Sequence, residues 1–447
     1  MNRTRQIPAE EVIRCAVQES IEVKTSHDRY AMKALDEAKI AIVHEWLGPY
    51  GGSEQVLESM LEVFPYADVH ALVHDPERLR GTRLQQTRAR TSFLQSLPKA
   101  KEKYHMYLPL MPLAVEQFDL RPYDLIISSS HAVAKGVLTR ADQIHISYIH
   151  TPIRYAWDLY LEYLARSNLT RGVKSWLARL VLHYIRLWDI STANRVDVYL
   201  ANSSYVAQRI QKVYRRTAQV LYPPVDIERF RSDLPREDFF LAISRFVPYK
   251  RMGLIVQAFS EMGKPLVVIG DGPEFDQVRR QAKPNVQLLG YQPNSTVTNY
   301  LQRAKAFVFA AEEDFGIIPV EAQAAGCPVI AFGKGGVLET VTGWPASSAT
   351  GVFFDAQTPE SLRMAVDLFD NYRGQIKPAA CRNSAEHFSR ERFRGEFRTI
   401  VEEAWSEFQR GLVARERVAE LNGHLSLGID PFDGRKAGGD ITKVRPQ

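Results

Sequence analysis

The chain has only three cysteines among its 447 residues. Cys15, Cys327 and Cys381 are odd in number and far apart, which excludes a disulfide framework and points to reduced thiols in a cytosolic protein. No apolar stretch reaches the roughly eighteen residues that mark a membrane-spanning helix. The opening segment MNRTRQIPAEEVIRCAVQES also lacks the apolar centre of a secretory signal, so the expected location is cytoplasmic. Excess charge of one sign is small. A net charge of +5 with a pI near 8.9 is too weak a bias for a nucleic-acid binder, yet it suits a face that meets anionic lipid or phosphate. No Asp-x-Asp ends a strand-like run, Asp430 and Asp433 fall in the C-terminal tail, and no His/Cys cluster has metal-ligand spacing. Neither a metal nor any other cofactor is expected.

What the chain has is a globular balance, 45% hydrophobic and 24% charged residues, at a length that exceeds one ordinary core. Short apolar runs recur at KIAIVHEW, ADVHALVHD, DLIISSSH, QIHISYIH and DVYLANSS, with helical or irregular segments between them. The paired prolines of LYPPVDIERF then break the rhythm. A second set follows at DFFLAISRF, PLVVIGDG, NVQLLGY, KAFVFAA and PVIAF. Apolar runs alternating with amphipathic helices predict parallel sheets covered on both faces, hence an α/β chain of two doubly wound domains facing a cleft. The expected boundaries are a poorly ordered extension over 1–38, a first domain over 39–222, a second over 223–388, a crossing helix over 389–412, and a disordered tail over 413–447.

One stretch carries most of the chemistry. AAEEDFGIIPVEAQAAG, from Ala310, sets Glu312, Glu313 and Asp314 at the end of an apolar run, then Gly316, then Glu321. Gly316, Ile317 and Ile318 are expected to open a helix with Pro319 in its first turn, where a missing N–H costs little. The free amides there form an anion site, and glycine permits close approach of a phosphate. Glu313 before the turn and Glu321 inside it reach different parts of a ligand laid across the helix start, and carboxylates accept hydrogen bonds from hydroxyls. Helix-dipole compensation alone could account for Glu321, but not for Glu313 together with Gly316. SRFVPYKRM adds Arg245 at a strand end and Lys250 five residues later, both able to compensate a departing anion. Gly51 and Gly52 lie between a strand and a helix, and His131 ends another strand. His150 and Arg154 follow a further strand end, where orienting an acceptor and stabilising the fold are both open.

The two glutamates, with seven residues between them, and the segments HEWLGPYGGSEQVLE, SSSHAVAKG, IHTPIRYAWDLY and GKGGVLETV together resemble the retaining glycosyltransferases of family 4. The likeness runs from about residue 39 to 409 and is greatest to bacterial mannosyltransferases of O-antigen and exopolysaccharide assembly. It implies the GT-B fold, with a C-terminal helix crossing back to the first domain. It also implies transfer of mannose from GDP-mannose to a polyprenyl-diphosphate-linked oligosaccharide, with no obligatory protein nucleophile. By that resemblance Glu313 holds donor-sugar hydroxyls, Glu321 the ribose, Arg245 and Lys250 the diphosphate, and His131 the transferred sugar near its reactive carbon. Gly51, Gly52, Gly316, Ile317 and Ile318 line the donor, and His150 and Arg154 face the acceptor. The implied partners are a nucleotide-sugar donor, a lipid-linked glycan and the inner face of an anionic membrane, with no nucleic acid. Arg251 departs from the family, many of whose members have glycine there. The competing readings are another two-domain sugar-nucleotide enzyme such as a non-hydrolysing epimerase, which the glutamate pair with Arg245 and Lys250 disfavours, and a non-catalytic membrane-associated protein that keeps the donor pocket.

Two segments combine bases with apolar residues. Residues 96–114 hold Lys99, Lys101, Lys103, Tyr104 and Tyr107, and residues 171–188 hold Arg171, Lys174, Arg179 and Arg186. Such segments can lie in an anionic interface. The expectation assigns that role to 96–114 and ordinary packing to 171–188.

Overall fold

The computed structural model describes residues 33–167 and 169–427. One compact unit spans Ala38–Glu402; the described residues of a second are 33–37 and 403–427, joined where Trp405 Nε1 donates to the Lys33 carbonyl at 2.8 Å.

Within the larger unit the first seven strands are β1 (Ile40–Leu47), β2 (Asp68–His74), β3 (Ala89–Thr91), β4 (Leu125–Ser130), β5 (Ile144–Ile149), β6 (Val198–Ala201) and β7 (Gln219–Val220). They form one sheet in the order β3-β2-β1-β4-β5-β6-β7, with every neighbouring pair parallel. LIISSS and IHISYI are buried at each position because helices cover both faces of the sheet. The helices that matter for function in this half are α1 (Gly52–Val63), α2 (Val173–Ser191) and α3 (Ser204–Tyr214).

The second sheet holds β8 (Phe240–Ile243), β9 (Leu266–Ile269), β10 (Val286–Leu288), β11 (Ala306–Phe309), β12 (Val329–Phe332) and β13 (Gly351–Phe354), in the order β10-β9-β8-β11-β12-β13 and again parallel. Alternate residues of each strand serve two cores. Phe240, Ala242, Val268 and Val308 face one, and Leu241, Ile243, Val267 and Phe307 face the other. α4 (Met252–Met262) covers one side of this sheet and α5 (Ile317–Ala324) the other. In both sheets the strand order reverses beside the first strand, so the strand ends there open a crevice suited to ligands.

The last helix, α6 (Arg390–Leu427), begins beside the second sheet and packs on the first half. Phe393 meets Tyr148 with ring centroids 6.0 Å apart, Phe397 meets Phe64 at 5.9 Å, and Arg394 pairs with Glu62 at 2.7 Å. The helix continues to Leu427, past the expected end at 412, because VARERVAELNGHLSL has no proline and a single glycine among good helix formers. The expected tail is therefore helical over 413–427. Its remainder, 428–447, and most of the expected extension, 1–32 with Cys15, lie outside the described residues. Cys327 and Cys381 are buried free thiols.

α2 departs from the packing role expected of it. Ser175, Leu182, Ile185 and Trp188 are buried, but Val173, Trp176, Leu180 and Leu187 point to solvent. No helix among the described residues is long and apolar enough to cross a membrane.

Candidate active site

The site is assembled from loops at the carboxyl ends of the two sheets. After β11 the chain turns through Glu313 into α5, and Gly316 is the residue before that helix, at φ +85°, a left-handed conformation that glycine adopts without a Cβ penalty. This turn frees the amides of Ile317 and Ile318 at the helix start. A parallel bridge from Glu313 to Gly335, and a hydrogen bond from Gly336 N to Glu313 O at 2.9 Å, clamp the backbone of the turn against the GKGG loop after β12.

Lys250 Nζ donates to Glu313 Oε1, so the two residues form an ion pair at the mouth of the second sheet. Arg245, just beyond β8, is exposed and has no ion-pair partner among the described residues. Its charge is felt by Tyr104 of the first half, whose hydroxyl is pushed up chiefly by burial while Arg245 opposes the rise. Lys250 is thus the cation held in the turn before α5, by the Glu313 carboxylate.

Glu321, one turn into α5, is 5% exposed and accepts a 2.6 Å bond from Arg229. Burial pushes its carboxyl up to about 6, with Arg229 opposing the shift. Glu312 and Asp314 face elsewhere. Glu312 accepts from Tyr205 OH at 2.7 Å, and Asp314 pairs with Arg209 at 2.6 Å and with Arg154 at 3.6 Å. Tyr205 and Arg209 belong to α3, so two of the three clustered acids join the halves of the molecule and one, Glu313, addresses the cleft.

On the facing side His131 follows β4. Its Nδ1 lies 2.9 Å from Glu45 Oε2, and Glu45 Oε1 accepts from Ser130 Oγ and from the backbone N–H groups of His131, Ala132 and Ala134 at 2.8–3.0 Å. Burial alone would raise the Glu45 carboxyl, but His131 and these donors hold it well below the usual carboxylate range. Burial likewise opposes the charged form of His131, yet Glu45 carries the imidazole above its ordinary value. Trp46 meets the His131 ring edge-on at 4.4 Å, with Tyr104 against Trp46 at 4.5 Å. Glu45 escaped the sequence reading; the available signal was a charged residue inside the apolar run of β1.

Gly51 N donates to Glu54 Oε2 at 2.9 Å, closing the start of α1. Gly52 sits where a Cβ would come within 2.6 Å of Ile317 Cδ1, so glycine there lets α1 approach the α5 turn from across the cleft. His150 is tied by its Nε2 to Ser129 Oγ at 2.9 Å, and Ser129 Oγ also meets His44 Nδ1 at 3.0 Å. Burial, aided by His131 and His44, lowers His150 to about 3, which makes it a neutral hydrogen-bonded ring. Arg154, for which orienting an acceptor and stabilising the fold were both open, lies between Asp314 and Asp158, at 3.6 and 3.7 Å. The geometry thus brings Glu313, Lys250, Gly316, Ile317 and Gly52 together, with His131 presented by the other sheet, and uses Arg154 to bind the halves to each other.

Two Rossmann-type halves, each built on a parallel sheet, define the GT-B class of fold. Residues 50–229 match the family model described as Glycosyltransferase Family 4, and residues 225–388 match the model described as Glycosyl transferases group 1. The chain belongs to the family 4 glycosyltransferases. It is 27% identical over 257 residues to the N-acetyl-alpha-D-glucosaminyl L-malate synthase of Bacillus anthracis, covering 50% of this chain and 65% of that one. It is 29% identical over 220 residues to the GDP-mannose-dependent alpha-(1-6)-phosphatidylinositol monomannoside mannosyltransferase of Mycobacterium tuberculosis, covering 42% of this chain and 56% of that one. The matched part therefore spans about half to two thirds of these curated relatives. Among solved structures, sucrose-phosphate synthase from Thermosynechococcus elongatus superposes with a TM-score of 0.63 at 15% identity, over 83% of this chain and 100% of that chain.

Proposed function

We propose that the protein is a retaining hexosyltransferase that moves mannose from GDP-mannose to a polyprenyl-diphosphate-linked oligosaccharide in bacterial surface polysaccharide synthesis. The observation that carries the reading is the Lys250–Glu313 pair in the turn that opens α5, with the start of α1 brought against that turn from the other half at Gly52 and Ile317. A diphosphate fits the α5 start and the two cations, which compensate the charge that develops as the nucleotide departs. Glu313, once Lys250 turns to the diphosphate, is left to accept from the donor-sugar hydroxyls, and Glu321 from the ribose. The bond from the anomeric carbon to the phosphate oxygen breaks. The acceptor hydroxyl oxygen bonds that carbon on the same face, and its proton passes to the departing phosphate oxygen. No protein nucleophile takes part, and the cations do the work of a metal. The mannosyl assignment is supported by likeness to the GDP-mannose-dependent mycobacterial enzyme.

The test is a panel of nucleotide sugars offered to the purified protein, read first by binding and then by transfer to a polyprenyl-diphosphate oligosaccharide. GDP-mannose should bind and be consumed in transfer. Preference for another base or sugar would overturn the donor, and binding without transfer to any lipid-linked acceptor would overturn the enzyme reading.

A further inference from the structure

α2 is apolar on both sides. Its packed side contributes Leu182 and Ile185 to a small core with Ile153 and Leu164. On the opposite side Val173, Trp176, Leu180 and Leu187 are exposed at 82, 65, 49 and 58%, and Leu177, Tyr184 and Ile190 are exposed beside them. Spacings of three and four residues align these side chains in one stripe along all 19 residues, about 28 Å of helix. A helix at a water boundary ordinarily carries polar residues there, and a contiguous exposed apolar patch of this extent marks an interaction surface. The only acid in α2 is Asp189, buried and paired with Lys135 at 2.9 Å. The charged residues of α2 and its entry that flank the stripe are bases, Arg171 and Lys174 at one end and Arg179 and Arg186 along the ring of Tyr160, whose own short helix carries the acid Glu162.

We propose that this face of α2 is a docking surface for an anionic lipid bilayer, with the helix lying in the interface plane. The proposal rests on the reading that the acceptor is lipid-carried. Charge complementarity selects the occupant: an acid-free apolar stripe with a basic border matches a surface of apolar chains under anionic headgroups. A second copy of the same face would instead set like charges against each other. The segment that contributes Leu108 to the core holding Leu182 and Ile185 also exposes Met106, Leu110 and Leu113, preceded by exposed Lys99, Lys101 and Lys103 with one acid, Glu102, among them. Tyr104 of the same segment packs on Trp46, which contacts His131, so docking here brings lipid to the acceptor side of the cleft.

The experiment compares sedimentation of the full chain with vesicles of phosphatidylcholine alone and with added phosphatidylglycerol. Wild type should bind the anionic vesicles, and brominated lipid should quench Trp176. A variant combining Trp176→Ser, Leu180→Ser and Leu187→Ser should lose on the order of 100-fold or more in partitioning. Because these side chains are exposed, it should still bind GDP and transfer to a short soluble acceptor like wild type. Equal partitioning of variant and wild type would overturn the proposal, as would a wild-type dimer that the variant disperses without any lipid binding. If vesicle binding is lost as expected but no sugar donor supports transfer, the docking surface stands and the proposed function falls.

Discussion

Glu45 holds His131 from behind: its buried Oε2 lies 2.9 Å from the imidazole Nδ1, while its Oε1 collects four donors from the last residue of β4 and the chain after it. This arrangement fixes the ring plane and leaves Nε2 as the atom available to a ligand. Glu45→Gln keeps the shape and removes the charge. The pKa of His131 should fall, because the partner that raised it is gone, and this is read by NMR titration of the ring. Transfer should drop by about 100-fold through kcat, as a misplaced group near the reacting carbon costs, with donor affinity little changed. An unchanged His131 titration would show that Glu45 only supports the fold.

In the proposed mechanism Arg245 and Lys250 act on one leaving group. Removing a single stabiliser of developing charge typically costs about 100- to 1000-fold, and each alanine variant is expected in that range. The double variant should lose less than the product of the two single losses, because both serve the same diphosphate. Fully multiplicative losses in kcat/KM would mean that the side chains work separately.

The architecture was largely legible. All ten apolar runs read from the sequence contain strands, because strands buried on both faces must be apolar throughout. The three strands that went unread are ART, QV and GVFF, the first two too short and polar to stand out and the last a four-residue run with no alternation. The α5 turn was legible for a local reason: glycine at a left-handed position and proline in the first turn are backbone requirements. The Glu45 network was not, since its donors lie about 85 residues downstream and meet it only through the β1–β4 register. Nor was the Arg154–Asp314 ion pair, since Asp314 lies in the loop that follows a strand of the other sheet.

Glu321 gives a pH prediction. Its folded carboxyl titrates near 6 against an unperturbed 4.5, because burial disfavours the anion more than Arg229 favours it. A raised carboxyl binds its proton more tightly in the folded state, so its cost is absent below about pH 4.5 and complete above about pH 6. The cost approaches ~2 kcal/mol at 1.36 kcal/mol per pKa unit. Glu321→Gln, which can still accept from Arg229, should lack this fall in stability between pH 4.5 and 6. Denaturant melts of both proteins at the two pH values check it, and parallel slopes would contradict the assignment. Nucleotide affinity should also weaken in the variant if the ribose is the partner.

Transfer should persist in chelator. The residues proposed to face the diphosphate, Arg245 and Lys250, are cationic, and among the described residues no group of His, Cys, Asp and Glu side chains is arranged to hold a metal ion. Activity abolished by chelator and restored by magnesium or manganese would reassign the charge compensation to a metal.

Asp314 ties catalysis to the meeting of the two halves. Its carboxylate receives Arg209 of α3 at 2.6 Å, and Arg209 also binds Asp158 at 2.7 Å and Thr151 at 2.8 Å, both from the first half. Ser203 Oγ donates to the Asp314 carbonyl at 2.6 Å, so backbone and side chain of one residue, next to Glu313, are both held. Burial raises the Asp314 carboxyl while Arg154 and Arg209 oppose it, so removing Arg209 leaves a buried acid less compensated. Arg209→Gln should therefore loosen the approach of α1 to the α5 turn, where Gly52 meets Ile317. The expected result is a fall in kcat/KM of about 10-fold, the equivalent of roughly 1.4 kcal/mol, with a longer distance between labels placed on the two halves in the presence of GDP. Because the pair is shielded, added salt should reproduce little of this effect in wild type. If the variant keeps wild-type label distances and turnover, the Asp314 cluster is a static joint and closure is governed elsewhere.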